Sequence, residues 1–591
     1  MHAKRIAIVF ALLTAAAGCS RKPPAPQPAS AGGAASELSK LADEYFDQVY
    51  FHYAPSNATL LGLHQYDKQL EDYSRATIDR ETADLQRFET RFAGIPAAQL
   101  DLTSQGDLEL LQANIHSTLL LLNTVRLWEK NPDQYSSGIT SAAFVLIERN
   151  FASPDDRLRS LIAREKLMPA ALDQAHQNLQ NPPRIYTEIA LEQLPDLISF
   201  FQSDVPTAFK DAHDQLLKNE FVQVNGAVVT ALKNYQSWLK QDVLPRSHGD
   251  FRFGADTYSK LLLYDEMVDT PLPKLLEIGY ADLRKNQAEF TRIANEIDPK
   301  AKPRDLLAEL THDHPAPDHL LQSFRDTFQG LVQFIQEKQI VNIPSPVRPT
   351  VAETPPFMRA TTTASMDTPG PFEKMAMPAY FFVTVPAATE TPQKIEQLMG
   401  EFNRGTIIST SVHEAYPGHY IQFLYLPEAP SRVRKVLGAA SNAEGWAHYC
   451  EQMMLEQGYG QPGAGARDAR DAKMIHLGQL QDALLRDARV IVGIKMHTGD
   501  LTFDQAVNFF VEEGYQTHAG GLVETKRGTT DATYLYYTLG KLQILKLRSD
   551  LQKKLGAQFS LEKFHDDFLK QGYPPIKIVR RALLGDASPT L

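Results

Sequence analysis

A mainly α-helical body carrying one small β-sheet is the fold that this sequence predicts, and three observations predict it. Apolar residues recur at helical spacing over most of the chain, as in Leu38, Leu41, Tyr45, Phe46 and Val49, or Leu108, Leu111, Ile115, Leu119 and Leu122. The run Ala379-Tyr380-Phe381-Phe382-Val383-Thr384-Val385 is instead rich in β-branched and aromatic residues and is bounded by Pro378 and Pro386, which reads as a strand. No unit of about 20–50 residues repeats, so a solenoid is not expected.

The first 36 residues read as targeting rather than as fold. Lys4 and Arg5 precede a mostly apolar stretch, Ile6 to Ala17, too short to span a bilayer as a helix. It ends in Ala16-Ala17-Gly18-Cys19, small residues before a cysteine, the form of an export signal. This end is similar to the lipobox of bacterial lipoproteins, although Ala16 stands where Leu is usual. The resemblance implies a signal peptide over 1–19, lipidation of Cys19 and a membrane anchor. Ser20 resembles the outer-membrane sorting pattern, with the protein facing the periplasm; a plain secretory signal with an incidental cysteine is the other reading. From Arg21 to Ser36 the chain is mostly Pro, Ala, Gly and Ser, so residues 20–36 form a flexible tether.

Helical patterning then covers roughly 155–180, 188–240, 274–297, 318–338, 430–457, 467–498, 503–514 and 532–556. Prolines and threonines interrupt it between about 340 and 390, around the strand. The expected division is a helical domain over 37–340 and a second domain over 341–591. Composition is that of a soluble globular protein, with 43% hydrophobic and 22% charged residues. A net charge of -11 argues against nucleic acid as a partner, because neutralising phosphates needs a basic surface. Cys19 and Cys450 are the two cysteines. A lipidated Cys19 leaves no intrachain disulfide, and Cys450, in an apolar segment, reads as a buried inert thiol.

Chemistry concentrates in Ser409-Thr410-Ser411-Val412-His413-Glu414-Ala415-Tyr416-Pro417-Gly418-His419-Tyr420. Zinc peptidases commonly place two histidines four apart on one helical face, with a glutamate after the first as general base. Here the histidines are six apart, about 120° apart around an ideal helix, so a regular helix cannot aim both at one ion. Pro417-Gly418 offers a break that could swing His419 back toward His413. Two ordinary histidines flanking a helix stop would share this spacing.

A second segment, Asn442-Ala443-Glu444-Gly445-Trp446-Ala447-His448-Tyr449-Cys450-Glu451, strengthens the metal reading. Glu444, His448 and Glu451 fall on one helical face among large apolar side chains, where buried acids need partners. Glu444 suits a third ligand beside His413 and His419, leaving a fourth position for water. His448 or Glu451 could orient the ligands from behind. The cluster His312-Asp313-His314 with Asp318-His319 reads as ordinary loop polarity among Pro315, Ala316 and Pro317.

Taken together, His413-Glu414-x-x-Pro417-Gly418-His419 and Glu444-Gly445-Trp446-Ala447 resemble the bacterial family called domain of unknown function 885. That family in turn is similar to the helical gluzincins: thimet-type oligopeptidases, angiotensin-converting-enzyme-type dipeptidases and Taq-type carboxypeptidases. Their histidines stand two residues closer, and their glutamate ligand follows about 25 residues on, as Glu444 follows His419. The resemblance covers about residues 380–540. It implies a gluzincin-like helical body with its sheet next to the zinc-binding helix, and one zinc ion per chain on His413, His419 and Glu444. It also implies Glu414 as base, and His518, Tyr534 or Tyr537 as stabilisers of the oxyanion. Arg527 is the candidate for a substrate carboxylate. An edge strand aligns substrate backbone in those relatives, which implies substrate contact at Tyr380 and Phe382.

The function expected is hydrolysis of short peptides by a metal-activated water. A zinc amidase acting on modified or non-peptide amides would use the same site, and a binding lipoprotein with a dead site would be expected to lack a ligand or the base. No Gly-x-Ser-x-Gly or phosphate-cradling glycine motif competes.

Overall fold

The computed structural model describes residues 31–591 apart from 356–358, 360–362, 375–376 and 388. The export signal, Cys19, Ser20 and the tether as far as residue 30 lie outside the described residues. The first helix runs Ala31–Tyr45, so helix begins inside the segment expected to be tether. Small residues permit this, and Ala34 is already buried against the neighbouring core.

The protein is mainly helical, as its periodicity predicts. Helices Leu272–Ile297 and Ala469–Thr498 pack along much of their lengths and form the spine of the molecule. Four of the apolar cores among the described residues draw side chains from both sides of position 340. One core has all its buried residues within 135–243, with Leu70 and Tyr73 packed against it. No helix among the described residues is long and apolar enough to cross a membrane.

The small sheet has three strands, β1 (Thr350–Glu353), β2 (Ala364–Asp367) and β3 (Tyr380–Val383), in the order β1-β3-β2. β1 runs parallel to β3, and β2 antiparallel with Met366 opposite Phe381. Phe381 locks the sheet onto helix Leu320–Lys338, its ring 5.0 Å from Phe324 and 5.1 Å from Phe328. The aromatic run is therefore the centre of the sheet rather than an edge. Both of its edges are used, and the outer strands are β1 and β2, neither of which the sequence announces.

Six helices position the site: α1 (Arg404–Glu414), α2 (His419–Tyr425), α3 (Ala440–Glu456), α4 (Ala469–Thr498), α5 (His518–Thr530) and α6 (Tyr536–Leu555). Asn403 caps α1 by accepting the Thr406 amide. The buried Glu266 carboxylate accepts the Ser441 amide at the start of α3. Where α3 crosses α6, Gly445 faces Gly540 so closely that a Cβ on Gly540 would lie 1.8 Å from the Ser441 carbonyl oxygen. Any larger side chain would push these helices apart.

Candidate metal centre

α1 ends at Glu414, and α2 begins at His419 itself. Pro417 lacks an amide to continue the helical ladder, and Gly418 lets the chain fold back on α1. The Gly418 amide donates to the Val412 carbonyl at 3.0 Å, and a Cβ there would sit 1.8 Å from the His413 carbonyl oxygen. The break brings the two imidazoles together, with centroids 4.9 Å apart and planes at 90°. Trp446, fully buried, holds the break by donating from Nε1 to the Pro417 carbonyl at 3.0 Å.

Glu444 reaches the same point from α3. One ligand atom each from His413, His419 and Glu444 lies within 4.8 Å of the others, the one such group among the described residues. Glu444 Oε2 is 3.3 Å from His413 Nε2 and 3.5 Å from His419 Nε2. These separations exceed the roughly 2.7–2.9 Å of a charge-assisted hydrogen bond. They match two donors each about 2.1 Å from a tetrahedral zinc, which stand about 3.4 Å apart. Glu444 Oε2 is also buried without a hydrogen-bond partner. Two imidazoles and one carboxylate fit a zinc ion with a position left open.

Glu451 supports the group from behind. Its Oε1 is 2.7 Å from His413 Nδ1, and its Oε2 is 3.2 Å from His448 Nδ1. Arg486 of α4 approaches Oε1 at 3.3 Å. The carboxylate so placed fixes the His413 tautomer and turns Nε2 toward Glu444 and His419. Burial would raise the Glu451 pKa, but Arg486, His448 and His413 outweigh it and hold it well below the usual carboxylate range. Burial likewise lowers the His413 pKa, but Glu444 and Glu451 outweigh it and push it up to about 10. His448 is pulled down to about 3, by burial and then by Lys541, and so stays neutral.

Glu414 lies at the end of α1 with its Oε2 accepting the Met366 amide of β2 at 3.3 Å. The strand beside the site is thus β2. Tyr380 and Phe382 stack on each other at 5.4 Å within the central strand, and no contact among the described residues joins them to the three ligands. Tyr537 packs against the His413 ring at 6.4 Å. The guanidiniums of Arg489, Arg486 and Arg527 stand 4.8, 5.5 and 5.8 Å from its ring centroid. Arg527 donates to the hydroxyls of Tyr536 at 3.2 Å and Tyr537 at 3.3 Å, and pairs with Asp531 at 3.2 Å.

Tyr534 is not brought to the ligands. Helix α6 begins only at Tyr536, so the helical spacing that would put Tyr534 beside Tyr537 does not apply. Tyr534 is fully buried in an apolar core, its hydroxyl against Gly528. His518 opens α5 and is exposed. Cys450 is buried, and burial pushes its thiol well above the ordinary range. The His312–His319 loop lies near the surface, where His314 Nε2 meets Glu396 at 3.2 Å.

Sequence reasoning missed Arg486, Arg489 and Met366. Asp482, Arg486 and Arg489 recur four and three apart within the largely apolar pattern of α4, a signal of one polar stripe facing the interior. Met366 contributes a backbone amide, which no side-chain pattern reveals.

A family model described as bacterial protein of unknown function, DUF885, matches residues 55–583. The solved structure of a candidate lipoprotein of unknown function from Shewanella oneidensis is 25% identical, with a TM-score of 0.77 over 93% of this chain and 99% of that one. A candidate lipoprotein from Colwellia psychrerythraea is 17% identical, also with a TM-score of 0.77, over 94% of this chain and 99% of its own; it shares the fold. No curated protein matches the chain.

Proposed function

This chain belongs to the bacterial DUF885 family, and we propose that it is a zinc-dependent metallopeptidase that hydrolyses short peptides. The observation that carries the reading is the separation of Glu444 Oε2 from the two imidazole Nε2 atoms, 3.3 and 3.5 Å, with Glu414 next to His413 in the chain and outside the ligand group. The resemblance of the two motifs to the helical gluzincins supports it.

Zinc bound there would lower the pKa of its water toward about 7 and polarise the scissile carbonyl. Glu414 takes the proton of the attacking water and passes it to the leaving amine. The Met366 amide holds the Glu414 carboxylate in place for both transfers. The outer edge of β2 suits an extended peptide that adds as a further strand. Tyr537, held by Arg527, donates to the oxygen that gains charge, a role that its packing favours over Tyr534 or His518. Arg527 lies where a substrate carboxylate could exchange for its contact with Asp531.

The same reading has the protein exported and anchored through a lipid on Cys19, its N-terminal sequence serving as an outer-membrane lipoprotein signal. That the two similar solved structures are described as candidate lipoproteins supports it.

The test is incubation of the full chain, purified in detergent with zinc, with a mixed library of short peptides read by mass spectrometry. New peptide termini are expected with the parent and none with Glu414→Gln. Peptides left intact by the zinc-loaded parent would overturn the peptidase, and hydrolysis confined to non-peptide amides would replace it with an amidase.

A further inference from the structure

A cavity of about 640 Å³ adjoins the metal centre on the β2 side. Two of its lining residues touch the site: the Met366 amide donates to Glu414, and the Phe423 ring stacks on His419 at 6.0 Å. The aromatic contact continues outward, because Phe423 meets the Tyr573 ring edge-on at 6.4 Å and Tyr573 lines the same cavity. Leu60 and Leu424 add aliphatic wall, with Leu60 46% exposed. Residues 366–371, the end of β2 and the loop after it, form one side of the lining. An extended peptide laid along β2 past Glu414 would therefore run beside this cavity.

The charged residues of the lining are Glu148, Arg149, Asp367 and Glu373. Arg149 donates to Asp367 and to the Thr368 carbonyl, and both members of that pair are buried. Glu373, with its side chain 7% exposed, pairs with His64 at 3.1 Å. Burial shifts the Glu148 carboxyl upward, toward its neutral form. A charged side chain entering the cavity would give up water and meet charges already engaged with one another, so it gains little. An apolar side chain would instead exchange water for the walls of Phe423, Tyr573 and the leucines, and an aromatic one can also pack on the two rings.

We propose that this cavity is a side-chain subsite of the peptide site and that it selects a large apolar residue, aromatic above all, beside the scissile bond. The inference rests on the peptidase reading. Position and wall carry it together. The Met366 and Phe423 contacts put the cavity next to the proposed base and a proposed ligand. The lining offers apolar surface, with its arginine and two of its acids already paired. Taking the extra apolar surface of phenylalanine over alanine out of water favours its peptide by about tenfold or more.

The test measures calorimetric binding of the peptides Ala-Ala-X-Ala-Ala, with X phenylalanine, alanine, glutamate or lysine, to the zinc-loaded full chain carrying Glu414→Gln. Cleavage of each by the parent is followed alongside. The phenylalanine peptide is expected to bind about tenfold more tightly than the others, and cleavage to favour it likewise. Adding Leu60→Glu puts a carboxylate on the exposed part of the wall, so the lysine peptide should gain several-fold on the phenylalanine one. Adding Phe423→Leu removes the ring beside His419 and should narrow the preference for phenylalanine over alanine, with zinc content measured in parallel. Should that variant lose zinc, Leu60→Glu decides alone. Equal binding of the phenylalanine and alanine peptides, tighter binding of a charged one, or ratios unmoved by the substitutions overturns the subsite. Cleavage of all four at one rate overturns the subsite and leaves the peptidase. Phenylalanine-selective binding without cleavage of any peptide overturns the peptidase and leaves the cavity as a peptide-binding site.

Discussion

Glu451 determines how His413 presents itself, because a buried imidazole with a carboxylate on Nδ1 has only Nε2 left to offer. Glu451→Gln keeps the shape and removes the charge. Zinc affinity is expected to fall about 10–100-fold, measured by competition with a chelator, while the circular dichroism stays that of the parent. Glu165 makes a different prediction, away from the site. It is fully buried, both carboxylate oxygens lack partners, and burial pushes its pKa from 4.5 up to about 9. Between those values the folded state keeps a proton that the unfolded state has released, so this group lowers stability as pH rises from about 4.5 to about 9. Glu165→Gln should flatten that fall, and denaturant unfolding at several pH values reads it directly. At this scale the convergence of His413, His419 and Glu444, with Glu451 behind them, was legible, because the metal centre proposed here asks for particular side chains at particular spacings. Tyr534 and Tyr537 were not separable, since the choice depends on where α6 begins.

Between elements, the site depends on close backbone contact. Gly445 and Gly540 let α3 and α6 meet, which sets Glu444 on one helix beside Tyr537 on the other. Gly540→Ala forces its Cβ into the Ser441 carbonyl, so a loss of about 1–3 kcal/mol or more is expected in denaturant unfolding. Any folded protein should hold zinc less tightly. The glycine of the glutamate-glycine pair in the sequence thus has a packing reason of its own. The sheet was legible only in part: Tyr380–Val383 has a strong strand composition, whereas Ala364–Asp367, Ala-Ser-Met-Asp, has little. Strand order is set by how the segments meet in space, so β2 could not be identified as the strand at the site.

Across the whole molecule, the spine of helices Leu272–Ile297 and Ala469–Thr498 ties the first half of the chain to the second. Cores that straddle position 340 would be cut open by separating residues 341–591 from the rest. That segment produced alone is expected to lack cooperative thermal unfolding, while the full chain retains it. The helical class was legible because periodicity is local. The division of the cores was not, because it depends on contacts between residues hundreds of positions apart.

The most direct test of the metal centre is elemental analysis of the full chain after dialysis against trace zinc, beside Glu444→Ala and Glu414→Gln. About one zinc per parent chain is expected, with the metal lost from Glu444→Ala and kept by Glu414→Gln. A parent without zinc, or an unchanged zinc content in Glu444→Ala, would contradict a centre built on His413, His419 and Glu444.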